Sequence, residues 1–234
     1  MDLKKVLILS GAMVLSAAAH AVPTLDNIYS GAPSLGGSAA ESFSVTDTDG
    51  YEDDFFAMIT LEQAAYESNM GIYSYSTDAM GNIVLGDTLQ VFDAADETGA
   101  IQTVNFDLLN DIAFIDNDGT AGLSIGDDQA GISGKKFGFY LDVTNTGHTY
   151  YSHTALNGDG YDHLGVYETK GQGGSTNAWD LVLAWEDIWN GGDEDFTDMV
   201  VGLHDVIAVP EPGTLALLAM GLFGLGVARH RQKA

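Results

Sequence analysis

A mainly β fold, an antiparallel β-sandwich of jelly-roll-like type, is what this 234-residue sequence predicts. Three observations carry the expectation. Apolar residues recur with period two over runs of six to eight residues, the spacing that turns one face of a strand inward. Glycine is abundant (29) and proline scarce (4), with Asp, Asn and Gly gathered between the runs, where turns need Asx geometry or positive φ. Strands do not alternate with long helical patterns, so parallel βαβ units are not expected.

Taken in order, residues 22–42 are rich in Gly, Ser and Ala and read as a mobile lead-in to a sandwich domain over 43–207. Leu61–Asn69 reads as a short helix. Strands are expected at Gly71–Ser76, Thr88–Phe92 and Thr103–Leu108. Phe137, Phe139, Leu141 and Val143 then share one strand face, and His148–His153 and His163–Glu168 follow as strands. Between Asp180 and Glu186, Leu181, Leu183 and Trp185 share a face; Met199, Val201 and Leu203 repeat the pattern on a returning strand. No repeat of 20–50 residues and no internal domain boundary is visible. With 45% hydrophobic and 10% aromatic residues, the middle of the chain can bury a sizeable core. With no cysteine, disulfides, thiolate metal sites and a cysteine nucleophile are excluded.

The two ends read as addresses. Lys4-Lys5, the apolar run Val6–Leu15 and Ala19-His20-Ala21 have the form of a secretory signal peptide over 1–21, cleaved before Val22. At the other end, over 209–234, Val209-Pro210-Glu211-Pro212 precedes an uncharged stretch, Thr214–Ala228, and a basic terminus, Arg229-His230-Arg231-Gln232-Lys233. Fifteen residues make about 22 Å of helix, a marginal transmembrane span stopped by basic residues on the cytoplasmic side. This order of parts resembles the PEP-CTERM sorting tail of Gram-negative bacteria. The resemblance implies recognition by an exosortase-type membrane protease and inner-membrane contact only through the tail before processing. It also implies final placement at the cell surface or in the extracellular matrix, often beside exopolysaccharide.

Between those ends the charge is lopsided. Residues 22–209 hold three lysines against 32 acids, a net charge of −29 where the whole chain has −26. Such a surface repels phosphate backbones, so no nucleic-acid partner is expected, and it attracts cations.

The acids are bunched. Asp47 and Asp49 lead one cluster, and Asp116 and Asp118 lead another with Asp127 and Asp128 behind. Asn157, Asp159 and Asp162 form a third. Close-set oxygen ligands on Gly-containing loops suit Ca²⁺, which takes six to eight oxygens in flexible geometry. Yet from Asp47 the sixth loop position is Glu52... no glycine stands there, and from Asp116 it is Ala121, so neither opening is an EF-hand. A solvated acidic turn is the simpler reading of both.

The fourth cluster is denser. A strand ends on Glu186-Asp187, Asn190-Gly191-Gly192 turns the chain, and Asp193, Asp195 and Asp198 lead into the returning strand. Such a loop gathers up to five carboxylates, which repel and raise one another's pKa unless a cation sits among them. Glu186, Asp187, Asp193, Asp195 and Asp198 are therefore the first candidates for Ca²⁺ ligands. Asp47, Asp49, Asp116, Asp118, Asn157 and Asp159 are weaker ones.

Phe137–Leu141, Tyr150-Tyr151-Ser152, Trp185–Ile188 and Gly191–Val201 together look like the bacterial domain-of-unknown-function family 4114 over residues 130–207. Trp185 and Thr197 stand where that family usually has Phe and Asn. The resemblance implies a secreted or surface setting, and its characteristic acids fall on Glu186, Asp187, Asp193, Asp195 and Asp198.

Of the histidines outside the ends, His148 and His153 lie five apart and would face opposite sides of a strand, which disfavours shared zinc ligation. His163 could lie near the third cluster. No G-x-S-x-G, H-E-x-x-H or P-loop occurs. Trp179, Trp185, Trp189 and Tyr161 are residues that stack on sugar rings or anchor cores and loops. The resulting expectation is an exported, non-catalytic surface or matrix protein that binds Ca²⁺. The alternatives are a carbohydrate-binding module of the exopolysaccharide matrix and a secreted hydrolase using Glu186 with an Asp.

Overall fold

A computed structural model describes residues 22–46, 52–176 and 178–210, Glu52 by its backbone alone. The expected signal peptide, Asp47, Asp49, Glu211, Pro212 and the apolar tail lie outside the described residues. Among those described, no helix is long and apolar enough to cross a membrane.

The chain opens with one turn of helix, α1 (Leu25–Ile28), then β1 (Ser42–Val45), β2 (Glu52–Glu62), β3 (Ser68–Thr77), β4 (Ile83–Phe92), β5 (Ile101–Asp107), β6 (Ile112–Ile115) and β7 (Asp128–Ala130). It continues with β8 (Gly138–Val143), β9 (His148–Tyr151), β10 (Leu164–Glu168), β11 (Leu181–Trp185), β12 (Met199–His204) and β13 (Val206–Val209). A seven-stranded sheet has the order β10-β11-β12-β2-β5-β6-β7, and a four-stranded sheet the order β4-β3-β8-β9. β1 and β13 form a separate pair, and all pairings are antiparallel.

The two larger sheets share one core. Phe55, Ala57 and Ile59 of β2 and Val104 and Phe106 of β5 meet Met70 and Ile72 of β3 and Phe139 and Leu141 of β8. The expected faces are found: Phe137, Phe139, Leu141 and Val143 all enter this core, as do Leu181, Leu183 and Trp185. Phe55 and Phe137 stack with centroids 5.9 Å apart, and Phe43 meets Phe139 edge-on at 4.8 Å. Such pairs add about 0.5–1.5 kcal/mol beyond area burial.

Two expectations are corrected. Residues 22–42, expected as a lead-in, pack on the large sheet. Tyr167, Val182, Ala184 and Val200 point out of the large sheet's other face and are apolar too; Leu25 and Ile28 of α1 cover them. Tyr167 donates its hydroxyl to the Pro23 carbonyl at 2.6 Å, and Ser38 bridges to Val166. Buried on both faces, β11 reads as a continuous apolar run, so a cover was required. Nor is Leu61–Asn69 a helix: Leu61 and Glu62 pair with Val200 and Met199, and Ser68 and Asn69 already belong to β3. The ladder to β12 satisfies those backbone groups before a helix could.

Candidate metal centre

Antiparallel register builds the site. Trp185 faces Met199 as the last pair of the β11–β12 ladder. Glu186-Asp187 therefore leave β11 where Asp198 enters β12, and the Asp187 N–H donates to Asp198 Oδ2 at 2.7 Å. Between them lie a 3₁₀ turn, Trp189–Gly191, and a loop with positive φ at Asn190 (60°), Glu194 (59°) and Phe196 (56°). Left-handed backbone is costly for such residues, and the surroundings must hold it. Phe196 does so by burying its ring in the cluster beneath α1. Gly192, φ 47°, has no room for a side chain: a Cβ there would lie 2.4 Å from Glu186 Oε1 and 2.6 Å from Ile188 Cβ.

Two carboxylate sets result, sharing Glu186. Glu186, Asp187 and Asp198 can each offer an oxygen within 4.8 Å of the others, and so can Glu186, Asp193 and Asp195. Oxygens around one Ca²⁺, at about 2.4 Å from it, lie at most about 5 Å apart, so either set fits one ion. All five first-ranked candidates are thus brought together. The inner set is sequestered, with Glu186 0% and Asp187 1% exposed; Asp193 and Asp195 face solvent.

None of the four carboxylate oxygens of Glu186 and Asp187 accepts a hydrogen bond. Burial, with Asp198 and Asp193 adding repulsion, pushes the Glu186 carboxyl up to about 8; the Ile188 amide opposes this without reaching hydrogen-bond geometry. Burial and Asp198 raise Asp187, and burial raises Asp198 against the pull of the Asp187 N–H. Buried acids are normally hydrogen-bonded or paired. Every ligand atom these groups could offer is an oxygen, the kind that hard cations take.

The third cluster holds the loop from below. His163 approaches the Glu186 carbonyl through Nδ1 at 2.7 Å and Asp159 Oδ2 through Nε2 at 3.0 Å, and both side chains are 0% exposed. Both ring nitrogens face acceptors, which suits the doubly protonated ring; burial opposes this and lowers the His163 pKa, against the pull of the hydrogen bond it gives to Asp159. The Tyr150 ring stacks on His163 at 3.6 Å. Asp159 also accepts from the Asn190 N–H at 2.8 Å and the Tyr161 N–H at 3.0 Å. Asn157 accepts from the Tyr151 N–H and donates to the Tyr151 and Tyr161 carbonyls. Asn157 and Asp159 thus spend their oxygens on the backbone, and the positioning role of His163 is what the sequence did not show. The His148–Tyr151 strand ends before His153, which sits in the core with Nδ1 2.6 Å from the Tyr73 hydroxyl.

Asp116, Asp118 and Asp127 also approach within 4.8 Å. Their oxygens already serve the loop: Asp127 accepts from the Asn117 and Ser124 amides, Asp118 from the Ser124 hydroxyl and Thr120 N–H, and Asp116 from the Asp118 and Gly119 amides. These bonds tie the turn to its own backbone.

Two family models match this chain. Residues 127–204 match the domain of unknown function DUF4114, and residues 208–232 match the PEP-CTERM protein-sorting motif. No curated protein and no solved structure matches it. The DUF4114 match runs from the start of β7 through β12 and contains both carboxylate sets, His163 and Asp159. The PEP-CTERM motif implies export, membrane anchoring before processing, and processing by an exosortase membrane protein. Its Val209 is the last residue of β13 and pairs with Ser42; Pro210, lacking an N–H, follows at once.

Proposed function

We propose that this is an exported, non-catalytic protein of the cell surface or extracellular matrix of a Gram-negative bacterium, its DUF4114 hairpin clamped by Ca²⁺. The observation that carries this is the pair Glu186 and Asp187: four buried carboxylate oxygens without a hydrogen bond, inside two sets spaced for one ion. A cation supplies the missing partner for all of them and offsets the repulsion from Asp193, Asp195 and Asp198. A flexible, all-oxygen loop suits Ca²⁺, which takes six to eight oxygens in variable geometry, better than Mg²⁺, which demands a near-ideal octahedron. A general acid has to reach substrate, and Glu186 is fully buried, which supports a structural over a hydrolytic role. Before export is complete the tail holds the body at the inner membrane, and exosortase is the partner there; exopolysaccharide is the matrix component it would then meet.

Calorimetric titration with CaCl₂ tests the reading. Saturable binding is expected, lost in the double variant Glu186→Gln, Asp187→Asn and retained in Asp116→Asn. Absence of binding, or equal loss in Asp116→Asn, would count against it.

A further inference from the structure

Four strands stand at the edges of the two larger sheets, and three of them are short or covered. β10 is closed by Ser38, whose N–H donates to the Val166 carbonyl at 2.8 Å and whose carbonyl accepts from the Val166 N–H at 3.1 Å. β9 has four residues, and Asn157 takes both the N–H and the carbonyl of Tyr151. β7 has three residues. β4 has ten, and among the described residues its only strand partner is β3. A long edge is ordinarily blunted by charge, by proline or by a cover, because its free N–H and C=O groups recruit another strand.

The first part of β4 adds nothing to the core: no residue from Ile83 to Thr88 is buried. β8 pairs with β3 only as far as Tyr73, so the pairs Tyr75–Leu85, Ser76–Val84 and Thr77–Ile83 form a ribbon without a third strand. Both faces of the ribbon meet solvent. Val84 is 47% and Leu85 39% exposed, and successive residues of a strand point to opposite faces. Met80, at the tip, is 84% exposed. A two-stranded ribbon alone is marginally stable in water. This one is braced at both ends. At the tip the Asp78 carboxylate accepts from the Met80 N–H at 2.8 Å, and from the Asn82 N–H and side-chain amide at 2.9 Å each. At the base the Tyr75 ring meets His153 at 4.1 Å between centroids and lies under Lys136 Nζ at 4.6 Å. An extended apolar edge is thus held out ready-formed, so little freedom is lost when it pairs.

Charge decides what it pairs with. A body of −29 repels its own copies, but between Ala79 and Phe92 Asp87 is the only charged residue. Two copies can therefore meet along this edge with little local repulsion. We propose that β4 is a self-association edge, pairing antiparallel with β4 of a second copy about a two-fold axis centred on Val84 and Leu85. Such a contact is isologous: one strand supplies both halves. The two four-stranded sheets then run on as one, with β4 beside β4 at its centre, and Val84 and Leu85 leave water. Pairing about this axis sets a residue opposite itself, with Cα atoms about 4.5–5.5 Å apart, which is within disulfide reach.

The chain has no cysteine, so one introduced cysteine reads the contact directly. Full-length Val84→Cys and Leu85→Cys, oxidised in mild detergent, are run on non-reducing gels beside Leu109→Cys and Ile125→Cys, two exposed positions elsewhere. At least one of the first pair should form a cross-linked dimer about tenfold more strongly than both controls, because pairing raises the local thiol concentration. The yield should rise with NaCl between about 50 and 500 mM, since salt screens the acidic bodies. The double variants Val84→Cys, Leu85→Glu and Val84→Glu, Leu85→Cys should lose the cross-link, because like charges then face each other across the axis. All these positions are exposed, so melting curves should match that of the unmodified protein. Cross-linking no stronger than at Leu109 and Ile125 reports chance collision and overturns the proposal. So does cross-linking that survives the glutamate or falls as salt rises.

Discussion

Stripping divalent cations from the protein should lower its melting temperature, and the structure sets the scale. An ion that binds only the folded state stabilises it by RT ln(1 + [L]/Kd), about 2.7 kcal/mol when the ion is at a hundred times its dissociation constant. Domains of this size shift by about 2–4 °C per kcal/mol, so saturating Ca²⁺ should raise the melting temperature by about 5–11 °C over EDTA. The unfolded chain offers no competing site of comparable geometry, because Glu186 and Asp198 are brought together by the β11–β12 register. Melting followed by circular dichroism at neutral pH, in EDTA and with graded Ca²⁺, measures the shift. The double variant Glu186→Gln, Asp187→Asn sharpens it. Without cations it should melt above the unmodified protein, since two desolvated acids have been neutralised; with Ca²⁺ it should gain little. A melting temperature that ignores Ca²⁺, or a double variant that responds as the unmodified protein does, would refute the reasoning.

Acidity should stabilise the cation-free fold in the same sense as Ca²⁺. The fold favours the protonated form of Glu186, held at about 8, and of Asp162, raised by burial to about 6, so cation-free stability is full below the ordinary carboxylate range and falls as pH climbs toward 8; melting curves from pH 5 to 8 in EDTA should decline, and in Ca²⁺ should flatten. Gly192→Ala places a methyl against Glu186 in left-handed backbone and should cost roughly 1–3 kcal/mol and weaken Ca²⁺ binding together, as read by denaturant midpoints and calorimetry. His163→Ala removes two buried contacts and the stacking partner of Tyr150, for a loss of about 2–4 kcal/mol, with faster amide exchange expected in residues 186–198. Phe55→Ala, in the shared core, should cost about 3–5 kcal/mol and leave Ca²⁺ affinity unchanged in whatever fraction stays folded.

What was legible in the sequence was whatever lay within one hairpin. Leu181, Leu183 and Trp185 announced a strand by period two, Asn190-Gly191-Gly192 announced its turn, and the five acids followed from their spacing. What was hidden depended on distant parts of the chain. β2 carries three acids and then apolar residues on both faces, because its centre is covered by the core on one side and by Trp179 stacked on Phe56 on the other; no clean alternation results. The segment 22–42 looked like a linker because it is poor in large side chains. Leu25 and Ile28, with Val22, Tyr29, Ala32 and Leu35 around them, cover the outer face of β11, and nothing in their immediate neighbourhood announces that face. Leu61–Asn69 has local helix formers, overridden where Leu61 and Glu62 pair with Val200 and Met199, far along the chain.

The same separation hid what the third acidic cluster does for the loop above it. Asp159 and Asn157 looked like ligands because they are oxygens near glycine. In the fold they face main-chain N–H groups of loops that would otherwise be unpaired, and His163 carries their hold across to the Glu186 carbonyl. A chain of contacts thus runs from the 151–163 segment to the backbone of the residue common to both carboxylate sets. Glu186 and Asp187 are left without donors, while the acids beneath them are supplied. In a solvated acidic turn Glu186 and Asp187 would be expected to accept from their own loop's amides, as Asp116 and Asp127 do from theirs. Donors were placed instead one layer below, where they fix the position of Glu186 without neutralising it, and that division of labour is what an ion-dependent clamp requires.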